Sequence, residues 1–218
     1  MKRADRPFQF VTASYLTRIR NQTATNLKEL GESLEKCSDE SIFYHTFHTL
    51  GRHHFLTEGF SNDFAHWVLA ATNQAELAEE LAGLDIRDYV SLAVLREDLR
   101  RLVISYCDRF PALGGLAAFE PFHFCESIEV SVPLGREAWT LEEFRDGLAN
   151  LARAALHFHF ISSRLRLRLR TNDFSLWLSG SLGLTELAQR VNRVDIYTNT
   201  LDGVRDRLLA QIGPELRA

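Results

Sequence analysis

Two short stretches of the chain share the same pattern. The first reads Asn62-Asp63-Phe64-Ala65-His66-Trp67, and the second reads Asn172-Asp173-Phe174-Ser175-Leu176-Trp177. In each stretch an Asn-Asp pair comes before a Phe and a Trp that are three residues apart. Asn and Asp side chains accept hydrogen bonds from free N–H groups at a helix start, and residues three apart share a helix face. Each stretch therefore predicts the start of a helix that buries an aromatic pair.

Further matches on both sides of these stretches stay in the same order along the chain. Upstream, Phe8-Gln9-Phe10 corresponds to Phe122-His123-Phe124, and His45 corresponds to His159. A helical row of apolar residues also recurs, as Leu27, Leu30 and Leu34 and again as Leu141, Phe144 and Leu148. A repeated core face leaves apolar matches at helical spacing. The pattern predicts an internal duplication.

The predicted fold class is mainly α with minor β, built from two pseudo-repeated helical halves that pack together. The first half covers 1–110 and the second covers 122–218. A linker covers 111–121, because prolines bound this segment and glycines lie inside it. The first Phe-x-Phe segment suits either a short strand or an opening helix. The second, from Phe122 to Val132, alternates as a strand and is expected to end at the turn Pro133-Leu134-Gly135. The two extended segments could pair with each other.

Composition narrows the function classes. The net charge of −4 argues against a general nucleic-acid binder. No apolar run reaches the roughly 20 residues that span a bilayer, and the N-terminus has no apolar signal core. The three cysteines are widely spaced and fit neither a disulfide framework nor a metal knuckle. We expect a cytoplasmic protein with reduced thiols and no membrane partner.

Histidines form the most informative polar cluster. His45 and His48 share a face if their segment is helical, and His157 and His159 occupy the matching place in the second half. One hypothesis is a shared site between the halves for a divalent transition metal such as zinc, iron or nickel. Its candidate ligands are His45, His48, His159, Asp63 and Asp173. The alternatives are structural histidines in aromatic surroundings and an acid–base histidine.

A run of alternating arginines and leucines lies between residues 164 and 170. As a strand it would put Arg164, Arg166, Arg168 and Arg170 on one face, where they could bind phosphate or carboxylate groups. As a helix the charges would spread around the cylinder. A solvated face that pairs with local carboxylates is the simpler interpretation.

Several of these motifs together resemble a known family. They are Tyr44-His45, His53-His54-Phe55-Leu56, and Asn62-Asp63-Phe64-Ala65 followed by Trp67. The chain resembles an uncharacterised family of bacterial and archaeal proteins of similar length and unknown function. The resemblance covers most of the chain. It implies the extent of the fold and implies no activity.

Two functional hypotheses follow. The sequence has no phosphate-binding P-loop, no Gly-x-Gly-x-x-Gly fingerprint and no Gly-x-Ser-x-Gly elbow. We therefore favour a non-catalytic binding or regulatory protein that engages another protein or an anionic small ligand, with a homo-oligomer also considered. The alternative is a metal- or histidine-dependent enzyme with a site at the interface of the two repeats.

Overall fold

The structure is a computed structural model, and it describes residues 2–48, 60, 62–167, 170–196 and 199–217. The side chains of His48, Arg87, Leu165 and Arg166 lie outside this description, as does the whole His53-His54-Phe55-Leu56 motif. The chain divides into two compact units. Unit 1 comprises Met1–Tyr15 together with Glu129–Ala218, and unit 2 comprises Leu16–Ile128.

Two long strands pair as an antiparallel two-stranded ribbon. They are β1 (Arg3–Ala24) and β2 (Phe122–Thr140). Side-chain contacts show the direction of pairing, because Gln9 contacts Glu137 in unit 1 whereas Arg20 contacts Glu126 in unit 2. Each unit therefore contains one part of both strands. The expectation that the two extended segments pair is confirmed.

Short helices make up most of the remaining described chain. In unit 2 they are α1 (Leu27–Lys36), α2 (Asp39–Phe43), α3 (Asp63–Thr72), α4 (Ala75–Ala82), α5 (Leu92–Arg109) and α6 (Pro111–Gly114). In unit 1 they are α7 (Leu141–Ala149), α8 (Arg153–His157), α9 (Ser163–Arg166), α10 (Asp173–Gly180), α11 (Thr185–Asn192) and α12 (Leu201–Ile212). A 3-10 turn spans Ile86–Asp88, and two π-helices span Tyr44–His48 and Phe158–Ser162. None of the described helices is long and apolar enough to cross a membrane.

The helix starts follow local capping chemistry. Asn62 accepts a hydrogen bond from the N–H of Ala65, and Asn172 accepts one from Ser175, so both predicted starts are confirmed. Thr140 forms a capping box with Glu143 at the start of α7. These caps depend on residues within one helical turn, which is why the sequence alone reveals them.

The predicted fold class, two helical halves with minor β, is wrong. The chain is 56% helical and 21% strand, so it is a mixed α/β protein with a prominent ribbon. The predicted turn at Pro133-Leu134-Gly135 instead lies inside β2. A two-stranded sheet has only edge strands, and edge strands tolerate a proline and a glycine at positive φ, as at Gly135 with φ 65°.

The unit boundaries also differ from the predicted ranges 1–110, 111–121 and 122–218. The predicted linker contains α6 and packs within unit 2. The N–H of Ala118 donates to the carbonyl of Thr25 at 2.7 Å, and the N–H of Phe119 donates to the carbonyl of Ala71 at 2.8 Å. The start of β2 belongs to unit 2 and the start of β1 belongs to unit 1. Each Phe-x-Phe segment thus packs with helices from the other part of the sequence.

Candidate functional site

Unit 2 holds a buried histidine that bonds through both ring nitrogens. His45 lies in the first π-helix, and its Nδ1 is 2.8 Å from Oδ2 of Asp63 at the start of α3. The N–H of Cys125 in β2 donates to Nε2 of His45 at 2.9 Å. Since Nε2 accepts, the imidazole is neutral with its proton on Nδ1, and it donates that proton to the carboxylate.

Unit 1 holds an arrangement with the same contacts. His159 lies in the second π-helix, and its Nδ1 is 2.8 Å from Oδ2 of Asp173 at the start of α10. The N–H of Val11 in β1 donates to Nε2 of His159 at 2.8 Å. In both units a histidine therefore joins a helix N-terminus to a strand amide. We call the two arrangements the histidine clasps.

Aromatic side chains enclose each clasp. In unit 2 the ring of His45 lies 4.7 Å from that of Phe122 and 5.4 Å from that of Phe64, measured between centroids. In unit 1 the ring of His159 lies 4.8 Å from that of Phe8 and 5.6 Å from that of Phe174. Both histidines are buried. The side chains of His45 and His159 are only 4% and 3% exposed, so water has little access to either imidazole.

The two tryptophans of the repeated stretches also donate hydrogen bonds to backbone carbonyls in or next to the strands. Nε1 of Trp67 donates to the carbonyl of Glu120 at 2.8 Å in unit 2. Nε1 of Trp177 donates to the carbonyl of Arg6 at 2.7 Å in unit 1. In unit 1 this bond attaches to β1 itself, and in unit 2 it attaches to the chain two residues before β2. The tryptophans and the clasp histidines therefore fix the position of backbone segments in or next to β1 and β2. Their partners are backbone groups, which leave no pattern in the sequence.

The predicted metal ligands are distributed between the two units. His45 and Asp63 bond to each other in unit 2, whereas His159 and Asp173 bond to each other in unit 1. Neither histidine has a ring nitrogen without a protein partner, so each would have to break a hydrogen bond to ligate a metal. The side chain of His48 is outside the described residues. Within the described part of the chain, no group of three or more His, Cys, Asp or Glu side chains is placed to hold a metal ion.

The arginine run adopts the helical alternative where it is described. Arg164 lies in α9, and its guanidinium is buried, where it donates to the backbone oxygen of Asn192 at 3.0 Å and lies over the ring of Phe160. Arg170 is exposed. The side chain of Arg166 and all of Arg168 lie outside the described residues. Arg164 is therefore a packing residue and not part of an exposed basic face.

An open hollow of about 440 Å³ lies beside the start of α5 in unit 2. It is lined by Gly83, Leu84, Asp85, Asp88, Tyr89, Val90, Val94 and Asp98. The hydroxyl of Tyr89 donates to Asp98 at 2.8 Å, and Arg101 pairs with the same carboxylate at 2.6 Å. Burial, followed by the hydrogen bond to Asp98, raises the pKa of Tyr89 to about 12. The Asp98 carboxylate therefore already has two protein partners.

The ribbon carries exposed aliphatic side chains that the site predictions did not include. Unit 2 exposes Leu16 and Ile19 on β1, and unit 1 exposes Val130, Val132 and Leu134 on β2. Ile19 is 68% exposed and Val132 is 52% exposed. The alternating apolar residues of β2 were visible in the sequence, but a buried strand face produces the same pattern. Only the fold shows that these residues face solvent.

Comparisons with known proteins found one family model and one similar solved structure. The solved structure of OrfY from Thermoproteus tenax is similar, with 28% sequence identity, a TM-score of 0.86, and coverage of 99% of this chain and 98% of that chain. No curated protein matches the chain. A family model described as a family of unknown function, DUF5752, matches residues 5–213. The resemblance to a family of unknown function is therefore confirmed, and the chain belongs to DUF5752.

Proposed function

We propose that this protein is a non-catalytic binding protein and that the exposed part of its ribbon contacts another protein. The observation that carries the proposal is the aliphatic exposure of both strands. Residues such as Ile19 in unit 2 and Val132 in unit 1 lie in regular strands and face solvent. Exposed apolar side chains on open sheet edges are typical of surfaces that bind other chains.

The histidine clasps also support a non-catalytic role, because their ring nitrogens are already hydrogen-bonded. A general base needs a nitrogen that can take a proton from a substrate, and a metal ligand needs a free lone pair. Nε2 of His45 is occupied by a backbone N–H, and so is Nε2 of His159. The clasps therefore suit a structural role, which leaves the ribbon as the better candidate for function.

We further infer that the two clasps descend from an internal duplication. Their support is the matched set of contacts, in which a π-helix histidine, a helix-start aspartate and a strand amide recur with distances that agree within 0.1 Å. Unrelated segments have no physical reason to place a histidine in a π-helix and give it the same two hydrogen-bond partners.

Photo-crosslinking from defined positions tests the binding proposal. A benzoylphenylalanine placed at Ile19 or at Val132, in protein added to extract of its native host, should form adducts of discrete mass. Matched controls carry the same group at Val94 on α5 and at Leu176 on α10, which are similarly exposed apolar residues on helices.

The adduct mass separates the outcomes. Adducts from ribbon positions and none from the helix positions would support the proposal, and an adduct of twice the chain mass would identify the partner as a second copy. Equal crosslinking at all four positions, or none at either ribbon position, would reject the ribbon as a binding surface.

A further inference from the structure

One segment of the ribbon has the properties of an accessible strand edge. In β1, residues 16–21 are all exposed, and the segment Leu16–Gln22 contains neither proline nor glycine. The exposed part of β2 differs, because Pro133 lacks an N–H and Gly135 has a positive φ of 65°. Proline and bulge-forming glycine are the usual means of blocking edge pairing. The exposed edge of β2 is therefore protected against pairing, and that of β1 is not.

Backbone groups of this segment are available on one side. In a two-stranded sheet each strand pairs with its neighbour through one edge and leaves its other edge without a ladder. Among the described residues, no backbone hydrogen bond joins Leu16–Gln22 to a turn, loop or helix cap. An extended chain could therefore add to β1 as a third strand.

The segment also has a surplus of positive charge. Arg18 and Arg20 lie 3.9 and 3.5 Å from the same carboxylate oxygen of Glu126. Both guanidinium side chains are about half exposed, at 55% and 48%, whereas Glu126 is 12% exposed. Ser38 also donates to Glu126, at 2.5 Å. One largely enclosed carboxylate therefore serves two exposed arginines, which favours an acidic partner.

Alternation along the strand defines the pattern that a partner should carry. Successive side chains point to opposite faces, so Arg18 and Arg20 share one face and Ile19 lies on the other. A strand added beside them places its own side chains on both faces in turn. Acidic residues would then meet the arginines, and aliphatic residues would meet Ile19.

We propose that the outer edge of β1 at Leu16–Gln22 binds an extended segment of a partner protein in which acidic and aliphatic residues alternate. This inference rests on the proposed binding function and names the partner class for one part of the ribbon. The affinity comes from main-chain hydrogen bonds, and the selectivity comes from Arg18, Arg20 and Ile19.

A labelled synthetic peptide of about nine residues, a common strand length, tests this directly with the full-length protein. The probe alternates glutamate with valine, and a comparison peptide has lysine in place of each glutamate. Two further probes carry N-methyl groups on alternate backbone amides, one set in each phase. Fluorescence anisotropy measures binding of all four peptides.

We expect the glutamate peptide to bind and the lysine peptide not to bind. Only one of the two N-methylated probes should lose binding, because a paired strand directs alternate N–H groups toward its neighbour. The double variant Arg18→Glu/Arg20→Glu should lower the affinity for the glutamate peptide by at least about tenfold. It should raise the affinity for the lysine peptide. The matched control is Arg136→Glu, an exposed arginine on β2, and it should leave binding unchanged.

Folding is checked separately. The milder variant Arg18→Gln/Arg20→Gln removes both charges without placing new carboxylates near Glu126. It should keep the wild-type circular dichroism spectrum and still weaken the glutamate peptide. A loss of binding that accompanies unfolding in both variants would count against a specific role for the arginines.

Three results would overturn the inference. The first is no binding of the glutamate peptide at about 1 mM. The second is equal binding by both N-methylated probes. The third is that a single-stranded oligonucleotide competes for the site as well as the glutamate peptide does. The last result would mean that the arginines bind any polyanion. Crosslinks from Ile19 with no peptide binding would preserve the proposed function and reject edge pairing. Peptide binding without ribbon crosslinks would support edge pairing by β1 and reject the wider ribbon as a binding surface.

Discussion

The backbone N–H of Cys125 donates a 2.9 Å hydrogen bond to Nε2 of His45, which ties the start of β2 to the first π-helix of unit 2. The other ring nitrogen donates to Asp63. Both nitrogens of this buried imidazole are hydrogen-bonded, so removing the side chain would leave buried polar groups without partners and destabilise the fold. The geometry makes the histidine a structural connection between a strand and a helix start.

Loss of a clasp should destabilise the fold. We expect His45→Ala to lower the free energy of unfolding by about 2–4 kcal/mol, because it removes two hydrogen bonds and leaves a cavity among aromatic rings. Urea denaturation followed by circular dichroism measures the change. The matched control His123→Ala alters an exposed histidine on β2 and should change stability by less than about 0.5 kcal/mol. Similar values for the two variants would contradict a structural clasp.

The histidine and aspartate of one clasp should be energetically coupled. In unit 1 we expect His159→Ala and Asp173→Ala to show a coupling free energy of about 1–2 kcal/mol in a double-mutant cycle, because they share a charge-assisted hydrogen bond. A second cycle pairs His159→Ala with Asp202→Ala, whose carboxylate instead bonds Arg153 and Arg205. That cycle should give a value near zero. Equal coupling in both cycles would show that the hydrogen bond is not the cause.

A glycine in α7 makes room for a strand side chain of the same unit. A Cβ at Gly147 would lie 2.3 Å from a ring carbon of Phe10, whose side chain is buried. Alanine normally stabilises a helix interior by up to about 1 kcal/mol relative to glycine, but overpacking costs about 1–3 kcal/mol. We expect Gly147→Ala to destabilise the protein on thermal unfolding.

Two comparisons isolate the clash at Gly147. Gly180→Ala in α10 adds a Cβ that meets nothing within 4 Å, so it should be neutral or stabilising. Phe10→Leu combined with Gly147→Ala should recover part of the loss, since the smaller side chain relieves the contact. A stabilised Gly147→Ala protein would mean that Phe10 can move away at little cost.

Stability should decline in alkaline solution. Burial raises the pKa of the Cys37 thiol from 9.0 to about 11. Between these values the unfolded chain releases a proton that the folded chain keeps, so the free energy of unfolding falls as the pH rises. The full shift corresponds to about 2–3 kcal/mol. Burial also raises the pKa of Tyr89, from 10.0 to about 12, and this adds to the decline above pH 10.

Chemical denaturation between pH 8 and pH 10 tests the cysteine contribution, to which Cys107 also adds, because burial raises the pKa of that thiol as well. Wild-type protein should lose stability over this window, and Cys37→Ala should show a flatter dependence from a lower starting value. Tyr89→Phe should leave the slope below pH 10 unchanged. An unaltered slope in Cys37→Ala would assign the alkaline decline to other groups.

Substitution of the clasp histidines should not change the metal content of the protein. Since both ring nitrogens of His45 and His159 have protein partners, we expect elemental analysis of His45→Ala and His159→Ala to match that of the wild-type protein. Stoichiometric zinc, iron or nickel that disappears in either variant would restore the metal hypothesis. Retained circular dichroism in the same samples separates metal loss from unfolding.

Local chemistry explains which features were predictable from the residues alone. The caps at Asn62, Asn172 and Thr140 were predictable because a cap and its partner N–H lie within one helical turn. The pairing of the two Phe-x-Phe segments was foreseen as one option, because alternation indicates a strand. The correspondence of His45 with His159 was also visible, although their partners were not.

Long-range packing set which helices each strand contacts and which residues remain exposed. Phe8 meets Phe174 and Trp177 in unit 1, and Phe122 meets Phe64 and Trp67 in unit 2. The two apolar segments are alike, so hydrophobic pattern alone cannot say which helices each one joins. The choice depends on contacts between residues far apart in the chain, and on backbone groups that have no sequence pattern. The clasps are buried, whereas residues 16–21 of β1 are exposed to solvent.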